Sequence, residues 1–476
     1  MQNQMRKIDM KETLSPNAWG LEINSKGELT IAGCSTVELA AEFGTPVHIV
    51  HDERLQKTAR QFLTSVKAAY PGRVSVHYPF KCNSVPGVVQ TIQRAGLKAE
   101  VMTEFELDLA RYLGYREDEI IVNGPCKTDD FLAKCIDLRV RLIIVDSVEE
   151  LLAIERLIEW KNSEVDVLLR VNPDFVPRGM NQGSATGSRK GCAFGLDLKG
   201  GEVRYALNLL KGTPGIHFQG FHLHIGTGIR NSRDHADALA CLPSLVEDAR
   251  HAEQRIRIVD VGGGFASMTT RELTSCEMLR YQAFGILPLL QDGQQHPSFS
   301  DFAREISQVI TQVFPRGELP ELIYEPGRCI ASPNQFLLLT VHRVKSRRGV
   351  GKWLIADGGL STVTMPTYYE YHEVFLANDV NRPRTEKVTI IGPACFAGDI
   401  VYRNKWMPVV HSGEVLAIMD TGAYFTALES SFGFYRPAIV SVGQGEPRVI
   451  RCRELFNDSI SRDTIAVHDI IEEEAA

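Results

Sequence analysis

Between residues 74 and 324 the chain repeats one pattern eight times: a short apolar, β-branched run, then a longer connecting stretch. The runs cover residues 74–80, 98–102, 120–123, 141–145, 166–171, 216–223, 257–261 and 321–324. Helical periodicity fills most of the gaps, as in 85–95, 104–113, 148–160 and 234–252. Strand and helix in strict alternation mean a parallel sheet. Eight such units predict a (β/α)8 barrel, with a doubly wound open sheet as the rival.

Beyond residue 330 the texture changes. Runs at 336–341, 387–391, 414–419 and 438–442 are separated by turn residues, and helical periodicity is weak. This reads as an all-β domain, which strand-like segments at 29–32 and 47–50 complete. The expected division is a barrel over 46–325 and a β domain built from 1–45 and 326–476. The loop 174–190, rich in Gly, Ser and Asn, lacks apolar periodicity and is expected to be mobile.

A net charge of -7 without a basic block argues against nucleic acid as the main partner. Ten cysteines without CxxC pairs fit free thiols in a reducing compartment. The first residues carry no apolar signal region, and no stretch has the apolar length of a membrane span. A cytoplasmic enzyme is the expectation.

In a barrel of this kind, reactive groups sit on the loops that follow the strands. Four run ends carry unusual chemistry. The first closes on His77-Tyr78-Pro79-Phe80-Lys81-Cys82-Asn83. A desolvated lysine there has a lowered pKa and a nucleophilic amine; a lysine snorkelling at the sheet margin is the plainer explanation. The sixth closes on Phe221-His222-Leu223-His224-Ile225-Gly226-Thr227-Gly228. Alternation puts both imidazoles on one side, for ring stacking or for a metal, although no carboxylate cluster accompanies them. The seventh, Asp260-Val261-Gly262-Gly263-Gly264-Phe265, is neither GxGxxG nor a P-loop, yet its glycines admit an anion to backbone N–H groups. The eighth, Tyr324-Glu325-Pro326-Gly327-Arg328, sets a carboxylate beside a guanidinium, either as a structural ion pair or as an anion grip. Together these ends supply what a phosphorylated aldehyde cofactor with a pyridine ring needs.

These segments, with Asn123-Gly124-Pro125-Cys126-Lys127, Gly392–Asp399 and Gly422-Ala423-Tyr424, resemble the motifs of fold-type III pyridoxal-phosphate (PLP) decarboxylases. That group includes diaminopimelate and ornithine decarboxylases, and the resemblance keeps one order over residues 45–445. It implies an alanine-racemase-like (β/α)8 barrel with a C-terminal β domain, pyridoxal 5'-phosphate as cofactor, and a homodimer with shared active sites. No metal is implied. Lys81 would hold the cofactor as a Schiff base and His224 would stack on the pyridine. Gly262, Gly263 and Gly264 would bind the phosphate, with Thr227, Gly327, Arg328 and Tyr424 nearby. Glu325 would keep the pyridine nitrogen protonated. Cys395 and Asp399 would reach in from the partner chain, with Cys395 reprotonating Cα.

The segments that choose a substrate depart from the family. Counting from Asp357-Gly358-Gly359, the arginine that grips a distal carboxylate in the diaminopimelate enzymes falls on Met365. The acid that follows the cysteine is Phe396 here. Tyr369-Glu370 matches an acid of the ornithine-type enzymes, so Glu370 is either a ligand for a distal ammonium or a solvated surface residue. With Arg328, Asp399 and Tyr424, these residues form the expected substrate set. Phe396 suits a larger or more apolar distal group, as in similar decarboxylases of siderophore and antibiotic pathways. A PLP-dependent racemase is an alternative on this scaffold, which Cys395 and Glu325 disfavour. A cofactor-free regulator and a metal-dependent hydrolase using His222 and His224 are the other classes.

Overall fold

The structure, a computed structural model, describes residues 14–178, 187–287, 297–363 and 370–464. Each of the eight runs forms a strand of one parallel sheet. In sheet order these are Val74–Pro79, Lys98–Val101, Ile120–Val122, Leu142–Val145, Val165–Asn172, Ile216–His222, Ile258–Asp260 and Glu321–Tyr324. Leu322 pairs with Val74, so the last strand returns to the first and the sheet closes. The barrel is therefore chosen over the open sheet. Alternation explains its two cores. Leu142, Ile144 and Leu168 point inward with Ile121, Ile258 and Ile323. Their neighbours Ile143, Val145, Val167 and Leu169 point outward into the helices.

Local signals position the helices. Thr103 and Ser147 accept the N–H of Glu106 and Glu150, which caps the helices Glu104–Tyr112 and Val148–Lys161. The stretch 234–252 is not one helix. It divides into Ser232–Ala238, a 3-10 turn Leu239–Cys241, and Leu242–His251. Pro243 has no N–H to give to a continuous helix, so the chain tightens and restarts with the proline in the new first turn.

The β domain is organised by the strand Gln335–Arg347. Its alternate residues feed opposite faces: Phe336 and Leu338 pack in one cluster, Leu337, Leu339 and Val341 in the other. Strand Val47–His51, which a division at 46 assigns to the barrel, lies instead inside this sheet. It pairs antiparallel with Gln335–Arg347 and parallel with Ala438–Val442. The barrel side begins with the helix Asp52–Ala69, and Cys329, Ile330 and Ala331 still pack in the barrel core.

All ten cysteines are free. Among the described residues no helix is long and apolar enough to cross a membrane. Of the loop 174–190, residues 179–186 lie outside the described residues. Its flanks are joined where the Phe175 N–H donates to the Ser188 carbonyl at 2.9 Å.

Candidate active site

The first strand ends in a 3-10 turn, Phe80–Cys82, that carries Lys81 over the barrel mouth. Its Nζ donates to both oxygens of Glu100, at 3.1 and 3.2 Å. The Glu100 side chain is 1% exposed and that of Lys81 33%, so the lysine remains open to a reagent. Burial alone would lower the Lys81 pKa, but the Glu100 and Glu325 carboxylates outweigh it and hold the ammonium above its ordinary range. The expected lowering is thus corrected, and the cause is Glu100. In return, burial and Glu325 hold Glu100 above the usual carboxylate range, against the pull of Lys81.

Behind the lysine, His222 is fully buried, with Nε2 3.6 Å from Glu325 Oε1. His222, Asp260 and Glu325 bring one ligand-type atom each within 4.8 Å. This overturns the expectation that no carboxylates accompany the two histidines. Burial pushes Asp260 well above the carboxylate range, and the charge of Glu325 adds to it. Burial also raises Glu325, against Lys81 and Arg170. Glu325 Oε1 and Asp260 Oδ2 are buried, and the partners Glu325 has in the site are Asn123 and a proton shared with Asp260. A protonated ring nitrogen is a further donor that such a buried carboxylate can take.

His224 lies parallel to His222, 7° apart in plane and 6.5 Å between centroids. Burial, with Arg170 and Lys81, holds its pKa well below the ordinary value. Its Nδ1 accepts the Gly263 N–H at 3.1 Å, and the Gly262 N–H goes to Asp260 Oδ1 at 2.8 Å. Two of the three N–H groups expected to face a phosphate are therefore spent inside the site. The close approach itself still needs glycine. A Cβ on Gly263 would lie 2.3 Å from the Glu325 carbonyl oxygen, and one on Gly264 equally close to that of Gly226.

Arg328 is held from three sides. Its Nε donates to Thr227 Oγ1 at 3.2 Å, Nη1 meets Glu370 Oε1 at 2.5 Å, and the guanidinium lies 4.8 Å from the Tyr424 ring centroid. Gly327 packs against Pro79 and Cys82, and the Tyr424 N–H donates to the Cys82 carbonyl at 2.8 Å. The Lys81 turn, the eighth strand end and the β domain thus meet at one place. Glu370 is not a solvated surface residue. It is fully buried between Arg328 and His372, whose Nε2 is 3.2 Å away. Burial would raise its pKa, but Arg328 and His372 hold it low. A carboxylate so engaged is already committed, which removes support for a distal-ammonium role. Met365 and Tyr369 lie outside the described residues.

Cys395 and Phe396 are exposed, and the Phe396 ring packs on Phe432 at 6.1 Å. Asp399 differs: it is buried, and its two oxygens accept the N–H groups of Leu360 at 2.6 Å and Ala394 at 2.7 Å. It clamps its own loop rather than facing a substrate. No hydrogen bond or ion pair among the described residues links Cys395 or Asp399 to Lys81.

Sequence reasoning missed Glu100, Arg170 and His235, and it quoted Asn123 in a motif without giving it a role. Arg170 reaches Asp146 at 3.3 Å, Asn123 lies 3.5 Å from His222, and His235 meets the Gly263 carbonyl at 3.0 Å. The signal for Glu100 was present: a carboxylate inside an apolar strand demands a buried partner.

The model of the family described as pyridoxal-dependent decarboxylase, pyridoxal binding domain, matches residues 55–332. Diaminopimelate decarboxylase of Actinosynnema pretiosum is 30% identical over 444 residues, 92% of this chain and 93% of that protein. The enzyme of that name from Methanocaldococcus jannaschii is 27% identical over 447 residues, 93% of this chain and 96% of the other. A crystal structure of diaminopimelate decarboxylase from M. jannaschii is matched with a TM-score of 0.82 at 26% identity, covering 94% of this chain and 98% of that one.

Proposed function

The chain belongs to the pyridoxal-dependent decarboxylases and acts on an amino acid with pyridoxal 5'-phosphate, and from that premise we propose the roles of its residues. The buried, closely paired carboxyls of Glu325 and Asp260 are the observation that carries the reading. Bound at this mouth, the cofactor supplies an aldehyde for a lysine amine and a pyridine ring that accepts the electron pair left when CO2 departs. Lys81 is the lysine. Glu325 holds a proton at the ring nitrogen, and Asp260, kept protonated by burial, leaves the negative charge on Glu325. His224 presents a neutral ring to the pyridine face. Arg328, Thr227, Tyr424 and Gly264 receive the phosphate.

Cys395 of a second copy delivers a proton to the α-carbon. Its exposure beside Phe396 and Phe432, on a loop stiffened by Asp399, supports a site completed by another chain. The family assignment, rather than any lack of carboxylates, sets aside the metal-dependent hydrolase class. The relatives' names favour a diamino acid as substrate. Phe396 stands where the resemblance expects an acid, so a panel of meso-diaminopimelate, L-ornithine and an N-acylated diamino acid tests that choice.

Lys81→Ala tests the whole reading. CO2 release should fall to background, and borohydride should fix no cofactor mass to the chain. Full turnover by the variant would sink the assignment.

A further inference from the structure

The Lys81–Glu100 pair has no place in the residue roles above, yet it is the tightest contact the lysine makes. Both Glu100 oxygens engage Nζ, from the neighbouring strand Lys98–Val101. Among the described residues Glu100 makes no other side-chain hydrogen bond, and it is shut off from solvent. A carboxylate so placed favours one form of its partner, the ammonium.

We propose that Glu100 is a latch on cofactor loading: it holds the lysine amine protonated in the cofactor-free chain and so withholds it from aldehydes until the pair is broken. The inference rests on the reading of Lys81 as the cofactor lysine. Capture forms a C=N bond between Nζ and the aldehyde carbon. The carbonyl oxygen leaves as water with two protons from the neutral amine. An ammonium must first give its third proton to bulk solvent, and that is the step Glu100 opposes. Other ionisable groups surround the lysine: Glu325 from the eighth strand, His222 and His224 from the sixth, Tyr424 from the β domain, Cys82 from its own turn, and Glu106 from the helix after Lys98–Val101. Glu100 alone among them touches Nζ with both oxygens. It is a positioning residue, and no part in turnover is needed for the latch to act.

The test is the pH dependence of loading, read without turnover. Full-length cofactor-free protein is mixed with pyridoxal 5'-phosphate between about pH 6 and 10, and the rise of the visible band is followed by stopped flow. Borohydride reduction and peptide mapping then locate the attached mass. Glu100→Gln should move the pH of half-maximal capture downward by about 1–3 units. Capture at neutral pH should quicken by about tenfold for each unit. An unmoved or raised midpoint, with the mass on Lys81, overturns the latch. Mass elsewhere overturns the reading of Lys81 itself. Should Glu100→Gln fail to fold, Glu100→Asp draws the carboxylate back by one methylene. It should shift the midpoint the same way by a smaller amount, and an unshifted midpoint overturns the proposal equally.

Discussion

Asp399→Asn separates a loop clamp from a substrate ligand. The native carboxylate is 3% exposed and accepts two backbone N–H groups, from Leu360 at 2.6 Å and Ala394 at 2.7 Å. A hydrogen bond to a charged group contributes about 1.5–3 kcal/mol. Asparagine keeps one acceptor and turns its amide N–H groups toward the second donor, so one bond is lost and a buried N–H is orphaned. The sum is about 2–4 kcal/mol. The surrounding backbone has no room to relax: Cβ atoms on Gly359 and Gly392 would lie 2.0 and 2.4 Å from the Asp399 oxygens. For a domain of about 150–250 residues, each kcal/mol shifts Tm by about 2–4 °C. Calorimetry should therefore show the β-domain transition falling by about 5–15 °C. Steady-state kinetics should show kcat reduced, because the loop carries Cys395, with KM changed by less than about threefold. An unchanged Tm together with KM raised tenfold or more would refute the clamp and return Asp399 to the substrate.

Two other perturbations test the site and its support. Gly264→Ala places a side chain at φ +90°, with a Cβ 2.3 Å from a backbone oxygen; it should cost about 2–6 kcal/mol and weaken cofactor binding in an absorbance titration. Native affinity and stability in that variant would mean the turn is not held so tightly. In the β domain, Glu373 is buried, yet Arg384 and Lys405 hold its pKa at about 2. Its folded pKa lies below the unfolded one, so its stabilisation of about 3 kcal/mol is full above about pH 4.5 and is lost as pH falls through about 2. The gap in urea midpoint between wild type and Glu373→Gln should close over that window; a constant gap would contradict it.

The fold was legible because its signals are local. Eight apolar runs needed no tertiary information to read as strands, and alternation along Gln335–Arg347 accounts for two cores at once. Where reading failed, the cause was non-local. The run 47–50 reads as completing the β domain, yet a boundary drawn at 46 gives it to the barrel, because the partners that fix it lie hundreds of residues away. Pro243 was visible, but periodicity on either side of it hid the break. In the site, motif residues such as Lys81, Glu325 and Arg328 were found, whereas Glu100 was not, and Glu370 was named for a distal ammonium rather than for Arg328. Glu100 sits in an apolar run, and the guanidinium that engages Glu370 lies on another element. What decides both is a partner on another element, Lys81 for one and Arg328 for the other.

The place of Val47–His51 has a consequence for how the chain comes to be folded. His48 Nδ1 meets Gln335 Nε2 at 3.1 Å across 287 positions of sequence. At about 5–20 residues per second, a ribosome needs roughly 15–60 s to deliver the second residue after the first. Through that interval the strand waits with both edges unpaired while the whole barrel emerges behind it. The apolar side chains of Val47 and Ile49 make this waiting segment the place where nascent chains would associate with one another or with a chaperone.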